Sequence, residues 1–483
     1  MHRALLLPEI VAAIVKSESG APGYLFTCLF VNRLFSEEAC RLLWYGCGSR
    51  YNSATAGHVT PGICRLAEIS QRSRQRAQVY ANFIHILVFA EPDETWPYGD
   101  EAKWHSHLAC LQYPQLEELD FYESPEASTL NKADVVIRYA QPSLRTFGLH
   151  TGSGLSDAFL DELRTHCPQL QQLTLSSIDN TMTQDGLLRF LRSQASLQCL
   201  MLDTGFQRLW TKEAFHAAAQ YSNLELLRLH DIQDDWIRGE QRMFPALKHL
   251  YTRITPEGLG LLSRHVPGLA TLQVTMPSSC TSIEPFVNYP QLKDLVVSYD
   301  DGAILQKTDL LLIAENCPDL QRLVIGDACP PRAEGLDDSM MEKIAQGLPR
   351  IKEFKLYYKV DTGNEPLTLQ SIKSLGRHCP NLKELDLSCI SIDWEEGDNS
   401  TISDSIWSLG LLLHRDHVPL WPEDYDPESD NDDGTHVSKE DIAHMAERFA
   451  CRFPSMEYFN LDGGGEGEEE LNDRLGDIVQ ERV

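Results

Sequence analysis

Pro168-Gln169-Leu170-Gln171-Gln172-Leu173-Thr174-Leu175 is the stretch on which the reading of this chain turns. Its leucines follow one spacing: apolar, two variable residues, apolar, one variable residue, apolar. Side chains alternate along a short strand, so Leu173 and Leu175 point to one side while Gln172 and Thr174 point to the other. The phrase recurs at Leu116/Leu119/Phe121, Leu144/Phe147/Leu149, Leu197/Leu200/Leu202 and Leu224/Leu227/Leu229. Six more copies begin at Leu247, Leu269, Leu292, Leu320, Ile351 and Leu382, and a last one is Met456/Phe459/Leu461. From Leu116 to Leu382 the starts lie 22 to 31 residues apart. A unit of that length cannot cover its own apolar face and must stack on the next.

Between the phrases lie helical patterns opened by capping residues. Ser156-Asp157 precedes Phe159, Leu160 and Leu163, and the design recurs after Thr183, Thr211, Thr308 and Thr368. Thr255-Pro256-Glu257 adds proline in the first turn, where its missing N–H costs nothing. Each unit therefore reads as strand, loop, capped helix and return loop. Cys-Pro precedes the phrase at Cys167-Pro168, Cys317-Pro318 and Cys379-Pro380, and small buried thiols explain these better than metal ligands a full unit apart. The pattern resembles the cysteine-containing class of leucine-rich repeats. The resemblance implies an α/β solenoid, a horseshoe with a concave parallel β-sheet and convex helices.

The composition is globular, with 42% hydrophobic and 23% charged residues over 483 positions. Net charge is -29, of which residues 416–433 and 462–483 supply 14. Such a surface repels phosphate backbones, which argues against nucleic acid and favours a basic protein or peptide. An exception runs from Arg41 to Arg76, with six arginines and one acid, Glu68, read as a solvated helix face or a docking patch. Thirteen cysteines without a C-x-x-C pair fit reduced thiols inside the cell, cytoplasmic or nuclear. Met1 to Val15 mimics a signal peptide, but Pro8-Glu9 breaks its apolar run and Lys16-Ser17-Glu18 replaces the cleavage motif. No stretch has the length of a membrane span.

These patterns predict a helical domain over 1–47, a linker and solenoid cap over 48–110, and repeats over 111–390. An acidic, flexible insertion over 391–437 follows, then a terminal repeat over 438–462 opened by a helix at Ser438, and a low-complexity acidic tail over 463–483. The apolar run Ile406 to Leu413 is open between loop and degenerate repeat. Within 48–110, a helix carrying Arg65, Leu66, Ile69 and Arg72 leads to the strand-like Ile84 to Phe89 and couples the first domain to the array.

The first 47 residues hold three short apolar helices, which bury little among themselves and need a partner surface. Leu7-Pro8-Glu9-Ile10, the Cys28-Leu29-x-Val31-Asn32 core and the closing Leu42-Leu43-Trp44 resemble an F-box in its fungal form. The family's usual Trp is replaced here by Leu34-Phe35. The resemblance implies docking on the Skp-type adaptor of an SCF ubiquitin ligase, and through it on a cullin-RING assembly. By position Leu7, Pro8, Ile10, Ile14 and Leu29, with Val31, Leu34, Leu43 and Trp44, would form the core or the adaptor contact. A simple helical cap on the first repeat is the competing reading.

No P-loop, paired-glycine fingerprint or hydrolase signature is present, so neither an enzyme nor a cofactor is expected. His105-Ser106-His107 could set two imidazoles on one side of a strand, but without a third ligand. The acidic run at 423–433 lacks the glycine and bidentate glutamate of a calcium loop. The expected site is the sheet face itself, with Tyr122, His150, Met201, Arg228 and His230 early in the array. Tyr251, Arg253, Asp294 and Arg322 follow, then Lys355, Tyr357, Asp386 and Tyr458. Tyr and Arg on an open surface suit protein recognition. The expected function is the substrate-recognition subunit of an SCF-type ubiquitin ligase, holding an unidentified target protein. A repeat scaffold or inhibitor without ligase function is the alternative.

Overall fold

A computed structural model describes residues 7–17, 23–48, 61–89, 101–122, 132–152, 154–178, 180–239, 242–278, 282–300, 303–327, 329–360, 366–391, 401–403, 405–406, 408–413, 447 and 449–462. The chain divides into two compact units, Met1–His230 with Met243–Pro245, and Asp231–Arg242 with Ala246–Val483.

In the first unit, helices α1 (Pro8–Ser17), α2 (Tyr24–Cys28) and α3 (Arg33–Leu43) lead straight into strand β1 (Gly46–Cys47). Helices α4 (Ile63–Arg72) and α5 (Arg74–Ala81) precede β2 (Ile86–Phe89), and α6 (Glu101–Leu108) precedes β3 (Glu118–Tyr122). Then come α7 (Lys132–Val136), β4 (Thr146–Thr151), α8 (Asp157–His166), β5 (Gln172–Ser177), α9 (Gln184–Ser193), β6 (Cys199–Leu202), α10 (Lys212–Ala219) and β7 (Leu226–Ile232), whose last two residues, Asp231 and Ile232, belong to the second unit. Each strand pairs in parallel with the one before it.

The second unit contains α11 (Asp234–Ile237), β8 (His249–Ile254), α12 (Pro256–Leu262), β9 (Thr271–Met276) and β10 (Asp294–Tyr299). It continues through β11 (Ile304–Gln306), α13 (Lys307–Asn316), β12 (Arg322–Ile325), β13 (Arg332–Glu334), α14 (Asp338–Gly347), β14 (Glu353–Leu356) and β15 (Lys359–Val360). It closes with β16 (Leu367–Thr368), α15 (Leu369–His378), β17 (Glu384–Ser391), β18 (Ser408–Leu413) and β19 (Tyr458–Asp462). Here β8, β9, β10, β12, β14, β17, β18 and β19 pair in parallel in that order. Strands β11, β13 and β15 form a small side sheet. Parallel strands in chain order, joined mostly by helical connections, make each unit an α/β solenoid of the leucine-rich-repeat kind.

The inward triplets are the core. Leu170, Leu173 and Leu175 are buried, as are Leu382, Leu385 and Leu387, and burial of that apolar area drives stacking. The three Cys-Pro cysteines are buried at helix ends. Burial pushes the Cys167 and Cys317 thiols up to about 11 and that of Cys379 up to about 12. No group of three or more His, Cys, Asp or Glu side chains able to hold a metal ion occurs among the described residues. None of the described helices is long and apolar enough to cross a membrane.

Caps form at Ser156, Thr183, Thr211, Thr255 and Thr368, whose hydroxyls accept from backbone N–H groups of the first turn. Thr308 differs. The helix there begins at Lys307, and the Asp309 carboxylate accepts from the Gln306 N–H instead.

The sheet extends beyond the recognised phrases. Ile84/Leu87/Phe89 is a buried triplet of the same kind, and its strand pairs with β3, so a sheet strand lies inside the span read as linker and cap. Its alternate positions, Ile86 and Val88, are also apolar and blurred the alternation. Ile406/Leu409/Leu411 is likewise buried, and β18 sits between β17 and β19, which makes this part of the expected insertion a repeat. The acidic remainder of 391–437, the expected helix start at Ser438 and the tail 463–483 lie outside the described residues.

Candidate protein-binding surfaces

The N-terminal helices are positioned by a few polar contacts. Asn32 caps α3, its side-chain oxygen accepting from the Phe35 N–H at 3.1 Å, and the Tyr24 hydroxyl donates to the Ile14 carbonyl at 3.1 Å. Val11, Val15, Leu25, Cys28, Phe35 and Ala39 are buried, as are Leu43 and Trp44. The Trp44 ring stacks on Tyr80 of α5 with centroids 4.8 Å apart, and β1 begins two residues later.

Of the nine residues expected at the adaptor contact or core, Leu7, Pro8, Ile10 and Val31 are exposed, and Ile14, Leu29 and Leu34 are half-buried. Leu43 and Trp44 are buried, which places them in the core, and Trp44 packs on α5. Sequence reasoning missed Phe26 and Phe30, which are 52% and 88% exposed. They lie four residues apart, on one face of α2 and the turn that follows it, and their signal was an aromatic pair at helical spacing. Leu7, Ile10, Phe26, Phe30 and Val31 are five of the nine large apolar side chains exposed among the described residues.

The second candidate surface is the sheet face opposite the core. In the first unit Tyr122 stacks on His150 at 4.7 Å, its partner in the strand register. Burial lowers the His150 pKa; Asp203 opposes this and Arg228 reinforces it. Met201 is half-buried, while Arg228 and His230 are exposed, and Arg228 reaches Asp203 at 3.0 Å. Beside them Asp120 is pushed up to about 6, first by burial and then by Glu118. Its carboxylate lies where a Cβ on the neighbouring Gly148 would sit.

On the second unit's face the charged residues engage one another. Arg322 contacts Glu353 at 2.8 Å and Asp294 at 3.2 Å. Lys355 contacts Asp386 at 3.2 Å, Glu353 at 3.4 Å and Glu384 at 3.5 Å, and the Tyr357 hydroxyl donates to Asp386 at 2.9 Å. Burial works against the Lys355 ammonium, but Asp386 and Glu353 outweigh it and hold its pKa above the ordinary lysine range. Arg253 reaches Asp231 at 3.5 Å and also pairs with Asp300. Tyr251 is half-buried, Tyr458 is exposed, and Gly410 leaves room for the Asp386 carboxylate as Gly148 does for Asp120.

His105-Ser106-His107 is not a strand pair. It lies in α6, and His105 is buried against Phe89 and Phe121, its Nδ1 3.0 Å from the Tyr139 hydroxyl.

No family model matches the chain, and no curated protein matches it. Among solved structures it is similar to the crystal structure of the Rad7 and Elc1 complex in yeast, at 13% identity and a TM-score of 0.45, over 95% of this chain and 93% of that one. It is also similar to a leucine-rich-repeat protein of Leptospira interrogans, at 13% identity and a TM-score of 0.38, over 83% of this chain and 91% of that one.

Proposed function

We propose that this chain is the substrate-recognition subunit of an SCF-type ubiquitin ligase. Its N-terminal helices dock a Skp-type adaptor, and its repeats hold a target protein. One observation carries the reading: the concentration of exposed large apolar side chains within residues 7–31. Single exposed leucines are ordinary on protein surfaces, but a cluster of this kind marks an interaction site. The F-box-like sequence of the same residues supplies the adaptor as its partner. Trp44 on Tyr80 and the β1–β2 pairing fasten α3 to the sheet, so a docked adaptor would be held in a fixed orientation to the first repeats.

The chain itself makes and breaks no bond in this reading. It raises the effective concentration of a target lysine near a ubiquitin-charged enzyme carried by the assembly. The test is affinity purification of the full chain beside its Leu7→Ala, Pro8→Ala double variant, read by mass spectrometry. The wild type is expected to recover the adaptor and cullin with its targets, and the variant to recover the targets alone. Recovery of targets but no adaptor by the wild type would replace the receptor with a scaffold.

A further inference from the structure

Every cation of the second unit's sheet network already has at least two carboxylates. Arg253 holds Asp231 and Asp300, Arg322 holds Asp294 and Glu353, and Lys355 holds Glu353, Glu384 and Asp386. Six carboxylates thus meet three cations, and the network keeps three negative charges in excess. Adjacent strands lie about 4.8 Å apart, so this excess is spread along a row of side chains and not held in one pocket. No group of three or more potential metal ligands converges among the described residues.

We propose that the open sheet face of the second unit binds a lysine- and arginine-rich, unphosphorylated segment of the target. The proposal deepens the receptor reading and rests on it for the word target. Charge complementarity selects the occupant. A phosphorylated or acidic segment would find each arginine and lysine of the network neutralised and would face the excess carboxylates. The chain's own acidic stretches, 416–433 and 462–483, carry the same sign as the face and are set aside as occupants. The opposite charge lies at the edge where the strands begin. Lys293, Lys352 and Lys383 are exposed there, in one backbone ladder through Gln321. These lysines repel a basic segment from the edge and confine it to the face.

The test is fluorescence anisotropy of the full chain with short labelled peptides, one of alternating Lys and Ser, one of alternating Glu and Ser, and one of alternating Lys and phosphoserine. The Lys-Ser peptide is expected to bind, more tightly as salt falls, and the phosphorylated peptide to bind about ten-fold or more weakly. Glu384→Gln with Asp386→Asn should weaken the Lys-Ser peptide about ten-fold, while Lys355 keeps Glu353. Asp294→Asn, which leaves Arg322 its contact to Glu353, provides a second variant should the first not fold, and it should weaken the same peptide. Glutamine at Glu466, Glu468, Glu469 and Glu470 together should change nothing.

Three results would overturn the proposal. One is no binding of the Lys-Ser peptide at low salt. Another is binding that survives the face variants and is lost with the tail variant. The third is tighter binding of the Glu-Ser or phosphorylated peptide, abolished by glutamine at Lys293, Lys352 and Lys383. The adaptor takes no part in this assay, so failure of the adaptor reading leaves its outcome unaffected.

Discussion

Asp157, the first residue of one repeat's helix, accepts two hydrogen bonds from Thr183, which caps the next. The backbone N–H donates at 2.8 Å and the hydroxyl at 2.6 Å, while the same hydroxyl accepts from the Gly186 N–H at 3.0 Å. The second unit repeats the device. Asp234 accepts from the Thr255 hydroxyl at 2.6 Å, and Asp338 accepts from Thr368 through both groups. A small residue follows three positions after each threonine, Gly186, Gly258 and Ser371, and at both glycines a Cβ would collide with the aspartate.

Gly186→Ala therefore reverses the usual effect of alanine in a helix. Replacing a helical glycine ordinarily stabilises by about 1 kcal/mol, but here the added carbon meets a carboxylate fixed by Thr183. The variant is expected to be less stable by about 1–2 kcal/mol in urea denaturation. In an Asp157→Ala background the same substitution should stabilise, because the collision is gone.

Trp44 and Phe30 separate packing from display. Trp44→Ala removes a buried ring stacked on Tyr80 and should cost about 3 kcal/mol or more. Phe30→Ser removes a ring that is 88% exposed and should change stability by less than about 0.5 kcal/mol. Thermal melts of the two variants beside the wild type check both.

Asp120 gives the fold a pH dependence of definite sign. Burial and Glu118 raise its folded pKa to about 6 from an ordinary value of 3.8. The folded state thus binds more protons than the unfolded state between those values, and stability falls as pH rises through them. Asp120→Asn is expected to be about 1 kcal/mol more stable than wild type at pH 7.5 and no more stable at pH 4. Denaturation at the two pH values measures it.

The inward triplets were legible because the pleat of a strand depends on its own few residues. Leu173 and Leu175 turn inward whatever their neighbours do. The same rule gave a strand at Ile84 to Phe89 without placing it in the array, and it left Ile406 to Leu413 open, because the alternate positions there are also apolar or small. His105 was misplaced because two histidines with one residue between them are too short a pattern to tell a strand from the helix that holds them. At the N-terminus the family likeness singled out a segment but could not sort its core from its surface. Trp44 turns inward because Tyr80, 36 residues away in sequence, offers it a ring, while Phe30 has no such cover. The cations of the sheet face were found one by one, yet their pairing depends on register between strands about thirty residues apart.

Titration calorimetry of the purified full chain with a purified Skp-type adaptor tests the central claim most directly. The account predicts saturable binding, with a negative heat-capacity change from apolar burial, and a loss of about thirty-fold or more in affinity when Phe26 and Phe30 are both changed to Ser. Equal affinity in wild type and variant, or no binding by the wild type, would contradict it.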